Sequence, residues 1–153
     1  MTTKAERHAA WVEDVGILLA DMGIPRMGAK AFAALLTAPE EGLTARELGE
    51  RISASPAAIS GAMKLLTQFR MVRRTRRPGE RADRFTIGEN FWEQAIEAEM
   101  QAYGPMIDTV QRGLDELDLS PAARDRMTET RDFLAFFTEE MPRLIERWEK
   151  RRG

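Results

Sequence analysis

The large apolar residues of the chain recur mostly at intervals of three and four, with one short stretch of alternation, and this pattern predicts six helices and a hairpin. From Thr3 to Asp21, Trp11, Val15, Leu18 and Leu19 mark one face of a first helix. Thr3 and Glu6 have capping-box spacing, and Gly23-Ile24-Pro25 ends the helix. A second, alanine-rich helix over about Met27 to Thr37 carries Phe32, Leu35 and Leu36 and is closed by Pro39 before the acidic turn Glu40-Glu41-Gly42. Thr44 with Glu47 repeats the capping-box spacing and starts a short helix whose inner face is Leu48 and Ile52 and which stops near Ser53. Ser55-Pro56 then opens a fourth helix to about Phe69, because the serine oxygen can accept an orphan N–H and proline in the first turn loses no hydrogen bond. Its apolar side is Ile59, Ala62, Met63, Leu65, Leu66 and Phe69, and its opposite side is Ala57, Ser60, Gly61, Lys64 and Gln68.

Met71 to Arg76 and Arg81 to Ile87 read as two strands joined by Arg77-Pro78-Gly79-Glu80, with Val72, Phe85 and Ile87 facing inward. A long amphipathic helix follows from Glu89, spaced by Trp92, Ala95, Ile96, Met100, Tyr103, Ile107, Val110, Leu114 and Leu117, with a kink or short break expected at Gly104-Pro105. Ser120-Pro121 opens the last helix, to about Arg151, and Pro142 is expected to bend it near residues 138–140. The apolar residues of this last helix, from Met127 through Phe133, Leu134, Phe136 and Phe137 to Trp148, cover more than one face. A wide core stripe is one explanation of such a surface, and the other, expected here, is that part of it packs on a second subunit.

Charge changes the picture most. Residues 43–88 hold ten basic and four acidic side chains, a net +6, whereas the whole chain of 153 residues stands at −2. A compact basic module in an acidic scaffold is the electrostatic footprint of a protein that meets a polyanion with one face. The absence of cysteine excludes disulfides, thiolate nucleophiles and cysteine zinc sites. A triad, a histidine metal site or a histidine general base would each have to rest on the single histidine, His8, which reads as a solvated helix position. Carboxylates such as Glu93, Glu97 and Asp108 sit on a face that reads as solvated, and no Gly-rich phosphate loop accompanies them. An enzyme and a cofactor are therefore not expected. The longest early apolar run, residues 15–20, lies between Asp14 and Asp21 and is too short for a signal or membrane segment, so a cytoplasmic location is expected.

Two helices across a short turn, followed by a basic two-stranded wing, make a winged helix-turn-helix in a mainly α chain. Residues 26–88 resemble the MarR-type winged-helix transcription regulators. The Ser55-Pro56-Ala57-Ala58-Ile59-Ser60 helix start and the hairpin of Arg73, Arg74, Gly79, Asp83 and Arg84 look most like the GbsR-related branch. Two positions depart from the family pattern: Ser53 and Arg70 stand where glycine is usual. Each must either take the left-handed conformation at some cost or sit in a different turn. The wing also places Asp83 and Arg84 side by side rather than two apart.

The resemblance implies residues 1–25 as a dimerisation support, 26–88 as the DNA-binding domain and 89–153 as a helical dimerisation region. It implies a homodimer on a pseudo-palindromic double-stranded operator, with its two reading heads about 34 Å apart, acting as a repressor. The Ser55 helix is expected in the major groove, with the wing on the backbone and Arg76, Arg77 or Arg81 entering the minor groove. The candidate DNA contacts are Thr44, Ser55, Ala57, Ser60, Gly61, Lys64, Gln68, Arg73, Arg74, Arg76, Arg77, Arg81 and Arg84. The family also implies a small-molecule effector, with Trp11, Phe32, Trp92, Met100 and Tyr103 as candidate pocket residues, although core packing explains the same residues. A winged helix that grips an acidic protein partner is the alternative function.

Overall fold

Four of the six helices begin at a capping hydroxyl. The computed structural model describes residues 1–153. In chain order its elements are α1 (Lys4–Asp21), α2 (Arg26–Leu36), β1 (Leu43–Thr44), α3 (Ala45–Ile52), α4 (Pro56–Gln68), β2 (Arg73–Thr75), β3 (Arg84–Thr86), α5 (Phe91–Glu116) and α6 (Pro121–Arg152). Thr3 and Thr44 form full capping boxes with Glu6 and Glu47, and Ser55 and Ser120 accept the amides of Ala58 and Ala123. Each oxygen satisfies an amide that the first turn leaves without a helical partner. The chain divides into two compact units, Met1–Phe91 and Trp92–Gly153.

The first unit is built round α2. Gly16 of α1 lets that helix approach until its missing Cβ would stand 3.3 Å from the Cα of Lys30, and Lys30 pairs with Glu13 across the same contact. Phe32 of α2, Leu48 of α3 and Ile59 and Leu66 of α4 are fully buried, and the Phe32 ring lies 5.1 Å from that of Phe91. Burying one large apolar side chain is worth roughly 1.5–3 kcal/mol, so this cluster fixes how α3 and α4 are held on α2. Two details differ from expectation. Phe69, read as part of the apolar side of α4, is 58% exposed, since it lies past the helix end as the C-cap. His8, read as solvated, is half-buried and hydrogen-bonded to Thr37 Oγ1.

The wing has three strands rather than two, in the antiparallel order β1-β3-β2. Leu43 pairs with Phe85 and Thr44 with Arg84, and on the other side Arg74 pairs with Phe85 and Thr75 with Arg84. β2 is also shorter than predicted, because the amides of Met71 and Val72 turn back to the carbonyl of Leu66 and leave the ladder to start at Arg73. Gly42 has φ +75°, and a Cβ there would stand 2.3 Å from the Phe85 carbonyl oxygen, so only glycine admits β1 to the sheet. Both anticipated strained positions take the left-handed conformation, Ser53 at φ 53° and Arg70 at φ 57°.

In the second unit α5 continues as one helix through Gly104-Pro105, so of the kink or short break expected there the break does not occur. Proline removes the bond to the carbonyl four residues back, and its ring crowds that carbonyl. Residues 101, 102 and 104–106 are exposed, so water can serve that carbonyl. α6 likewise remains one helix through Pro142. Glu93 is buried, not solvated, and accepts hydrogen bonds from Trp148 Nε1 at 3.0 Å and Arg152 at 3.4 Å, which tie the start of α5 to the end of α6. Tyr103 packs edge-on to Phe137 at 5.8 Å, and Phe137 stacks with Phe133 at 6.3 Å. None of the helices is long and apolar enough to cross a membrane.

Candidate nucleic-acid interface

α4 separates its two faces as its sequence requires. Ile59, Ala62, Met63 and Leu66 are buried, while Ala57, Ser60, Gly61, Lys64 and Gln68 are exposed. The exposed face carries no acid, and a Cβ added at Gly61 would meet no atom within 4 Å, so another surface can come close to the helix there. Ser55 uses its oxygen as the cap of α4, which leaves its hydroxyl proton free to donate, and Thr44 does the same for α3. An open groove of about 1440 Å³ joins this face to the wing, bringing Thr44, Ser60, Lys64 and Gln68 together with Arg74 and Arg81.

The wing arginines are not equivalent. Arg84 is spent inside the fold: its side chain is 14% exposed and donates to Glu80 at 2.9 Å, to Glu47 at 3.3 Å and to the Gly42 carbonyl at 3.2 Å. Glu80 hydrogen bonding, partly opposed by desolvation, keeps this guanidinium still more firmly charged than usual. Glu47 therefore serves twice, capping α3 and anchoring β3. Its carboxyl lies below the usual range, first because of the Thr44 amide and less because of Arg84. Arg74 and Arg76 both reach Asp83, whose carboxyl is lowered chiefly by the hydrogen bond from Arg74. Arg73 folds over Gly88.

Arg77 and Arg81, which flank the Pro78-Gly79 turn, are exposed and make no ion pair or side-chain hydrogen bond. Which wing cations are committed and which are free was not visible in the sequence, because the pairing follows from the cross-strand register.

The candidate pocket residues fall in both units. Phe32 is core at 1% exposure, and Trp11 is 42% exposed on α1. In the second unit Tyr103 donates to Glu99, and Trp92 lines a groove of about 610 Å³ with Glu93, Ile96, Met141, Leu144 and Trp148. Trp148 and Glu93 give that groove its aromatic wall and its buried carboxylate, and neither is among the candidate pocket residues read from the sequence. No group of three or more histidine, cysteine, aspartate or glutamate side chains is placed to hold a metal ion.

Residues 90–151 match the sequence profile of the MmpR5-like MarR family transcriptional regulators. The HTH-type transcriptional regulator MmpR5 of Mycobacterium tuberculosis is 26% identical over 144 residues, which cover 94% of this chain and 87% of that one. A solved structure described as a transcriptional regulator superposes with a TM-score of 0.82 at 24% identity, covering 94% of this chain and 99% of the other. MepR, a transcription regulator of the Staphylococcus aureus multidrug efflux pump MepA, is more distant, with a TM-score of 0.43 and 14% identity over 92% of each chain. The chain thus shares the fold of a solved transcriptional regulator along nearly its whole length, and the profile and the MmpR5 likeness support a MarR-family winged-helix transcriptional regulator.

Proposed function

We propose that the chain is a DNA-binding transcriptional regulator of the MarR family that acts in the cytoplasm as a homodimeric repressor on a pseudo-palindromic double-stranded operator. The observation that carries this reading is the single groove in which the acid-free face of α4 meets wing cations. In this reading α4 enters the major groove with Ser60, Lys64 and Gln68 at base edges and phosphates, while Ser55 and Thr44 donate to the backbone near helix N-termini. Arg77 and Arg81, unengaged at the wing tip, reach into the minor groove, where the negative potential is deepest. Arg84 belongs to the scaffold that aims them. Within the family, the match of residues 90–151 favours an MmpR5-like branch, whereas the GbsR-related likeness rests on the start of α4 and the hairpin alone.

The homodimer reading is supported by α6, whose Phe133, Phe136, Leu144 and Trp148 are 48–63% exposed in the single chain. Repression follows from occupancy, since a dimer on its operator blocks polymerase without further contacts. A small apolar effector is supported by the groove beside Trp92 and Trp148.

The test is selection of bound duplexes from a random pool, followed by binding titrations at several salt concentrations. A two-fold symmetric site, bound far more tightly than random sequence, is expected. A purely non-specific isotherm overturns the reading. Arg77→Ala with Arg81→Ala removes four cations from the dimer and is expected to weaken binding to all sequences and to lower the salt slope by about four, and an unchanged slope removes the wing tip from the interface.

A further inference from the structure

One carboxylate holds two exposed arginines of the wing. Arg74 and Arg76 lie two residues apart on one side of the β2 strand direction, and Asp83 stands across the hairpin just before β3. Arg74 Nε donates to Asp83 Oδ2 at 2.6 Å, with its Nη2 on the same oxygen, and Arg76 Nε donates to Oδ1 at 2.9 Å. The aspartate side chain is only 17% exposed, but those of Arg74 and Arg76 are 61% and 63% exposed. Both guanidinium groups are thus gripped by their inner edges, and N–H groups on their outer edges remain free. Two cations share one anion, so the cluster keeps a net positive charge. Arg74 and Asp83 also line the groove that contains Ser60, Lys64 and Gln68.

We infer that Asp83 is a positioning residue that splays Arg74 and Arg76 into a fixed pair of forks for neighbouring phosphates of the bound duplex. The inference rests on the DNA-binding reading above. Arginine recognises phosphate through parallel N–H groups in one plane, and a free side chain must lose rotamer freedom to present them. The aspartate fixes that plane before the duplex arrives.

Charge and position predict opposite signs, which makes the inference testable on the full-length protein. Asp83→Asn raises the net charge by one, so by charge alone it tightens binding to any polyanion. If Asp83 positions the forks, the same change weakens binding to the selected operator by roughly five- to tenfold, through freedom restored to two long side chains, while binding to heparin is unchanged or tighter. Arg76→Lys keeps the charge but loses the gripped Nε. It is expected to weaken operator binding in the parent and to add less than about twofold in the Asp83→Asn background, as coupled neighbours do. Asp83→Glu is expected to recover part of the loss.

Operator binding that is equal or tighter in Asp83→Asn overturns the positioning role and makes the aspartate a brake on the wing. Fully additive effects of Asp83→Asn and Arg76→Lys overturn it as well, provided that amide exchange shows the wing of Asp83→Asn still folded; an Asp83→Asn wing that is folded and binds the operator as the parent does overturns it without the double variant. If the parent protein binds no duplex, both the DNA-binding reading and this inference fall. If the parent binds and only the sign for Asp83→Asn is wrong, this inference falls alone.

Discussion

α2 and α6 stand at opposite ends of what a helix can do in this chain. Seven of the eleven residues of α2 are buried, so that helix is the organising element of a unit able to satisfy its own apolar surface. None of the thirty-two residues of α6 is buried, although it carries three phenylalanines, two methionines and a tryptophan. A long helix of that composition is stable in water only when something covers it. The difference teaches that the winged module buries its own apolar surface, whereas the C-terminal unit leaves much of its apolar surface uncovered in the single chain, which is what the proposed dimer would cover. The largest test is therefore Phe136→Asp combined with Leu144→Asp. Sedimentation is expected to shift from two chains to one, and operator affinity to fall by about 10²–10⁴, the advantage lost when two linked reading heads become independent. A double variant that remains dimeric and binds normally places the interface elsewhere.

A sharper contrast comes from truncating one side chain in each helix system. Leu66→Ala empties a site with no exposure and is expected to cost about 2–5 kcal/mol in urea unfolding, with the whole first unit lost together. Phe136→Ala, 62% exposed, is expected to change unfolding by less than about 0.5 kcal/mol when the protein is dilute enough to be monomeric. Equal costs at that dilution would mean that α6 has a core of its own after all.

The same contrast explains what could be read in advance. Helix starts were legible at Thr3, Thr44, Ser55 and Ser120 because a cap is a contact over three residues and needs nothing from the rest of the fold. The split of α4 into an apolar and a small polar face was legible for the same reason. β1 was not, since a strand of two residues has no period, and it exists only because Gly42 lets Leu43 reach Phe85. The burial of Glu93 was equally invisible: its partner Trp148 lies 55 residues away. In the candidate interface, the basic hairpin was plain, but the division of its arginines into Arg84 as anchor, Arg74 and Arg76 on Asp83, and Arg77 and Arg81 free depends on register. A one-residue slip would redistribute every pair.

Smaller effects probe how much of the reading head depends on local caps. Thr44→Ala removes the hydroxyl that accepts the Glu47 amide and is expected to cost about 1 kcal/mol. It should also loosen the wing, because Glu47 holds Arg84 from the same cap, and hydrogen exchange at Phe85 should rise with it. The turn between α3 and α4 gives the opposite sign. Ser53 sits at φ 53°, ψ 47°, and Ser53→Gly is expected to stabilise the first unit by up to about 1 kcal/mol by removing the Cβ penalty. No gain in the thermal midpoint would show that the serine side chain compensates its own strain.

The finest distinction is acid sensitivity. Glu47 and Asp83 both have carboxyls depressed in the folded chain, the first mainly by the Thr44 amide and the second mainly by Arg74. A depressed carboxyl adds stability that is complete above its ordinary value and is lost as pH falls through the lowered one. The wing should therefore loosen below the ordinary carboxylate range and be unaffected between neutral pH and that point. In α6 the comparable group is Glu146, lowered by Lys150 four residues on, in a pair exposed on both sides, where solvent screening leaves little to lose. Amide protection, taken relative to the intrinsic exchange rate at each pH, is thus expected to fall first at Arg84 and Phe85 and only later along residues 143–150 as the pH is lowered from neutral. Simultaneous loss in both places would mean that these carboxylates do not hold the wing, and that acid acts on the chain as a whole through net charge.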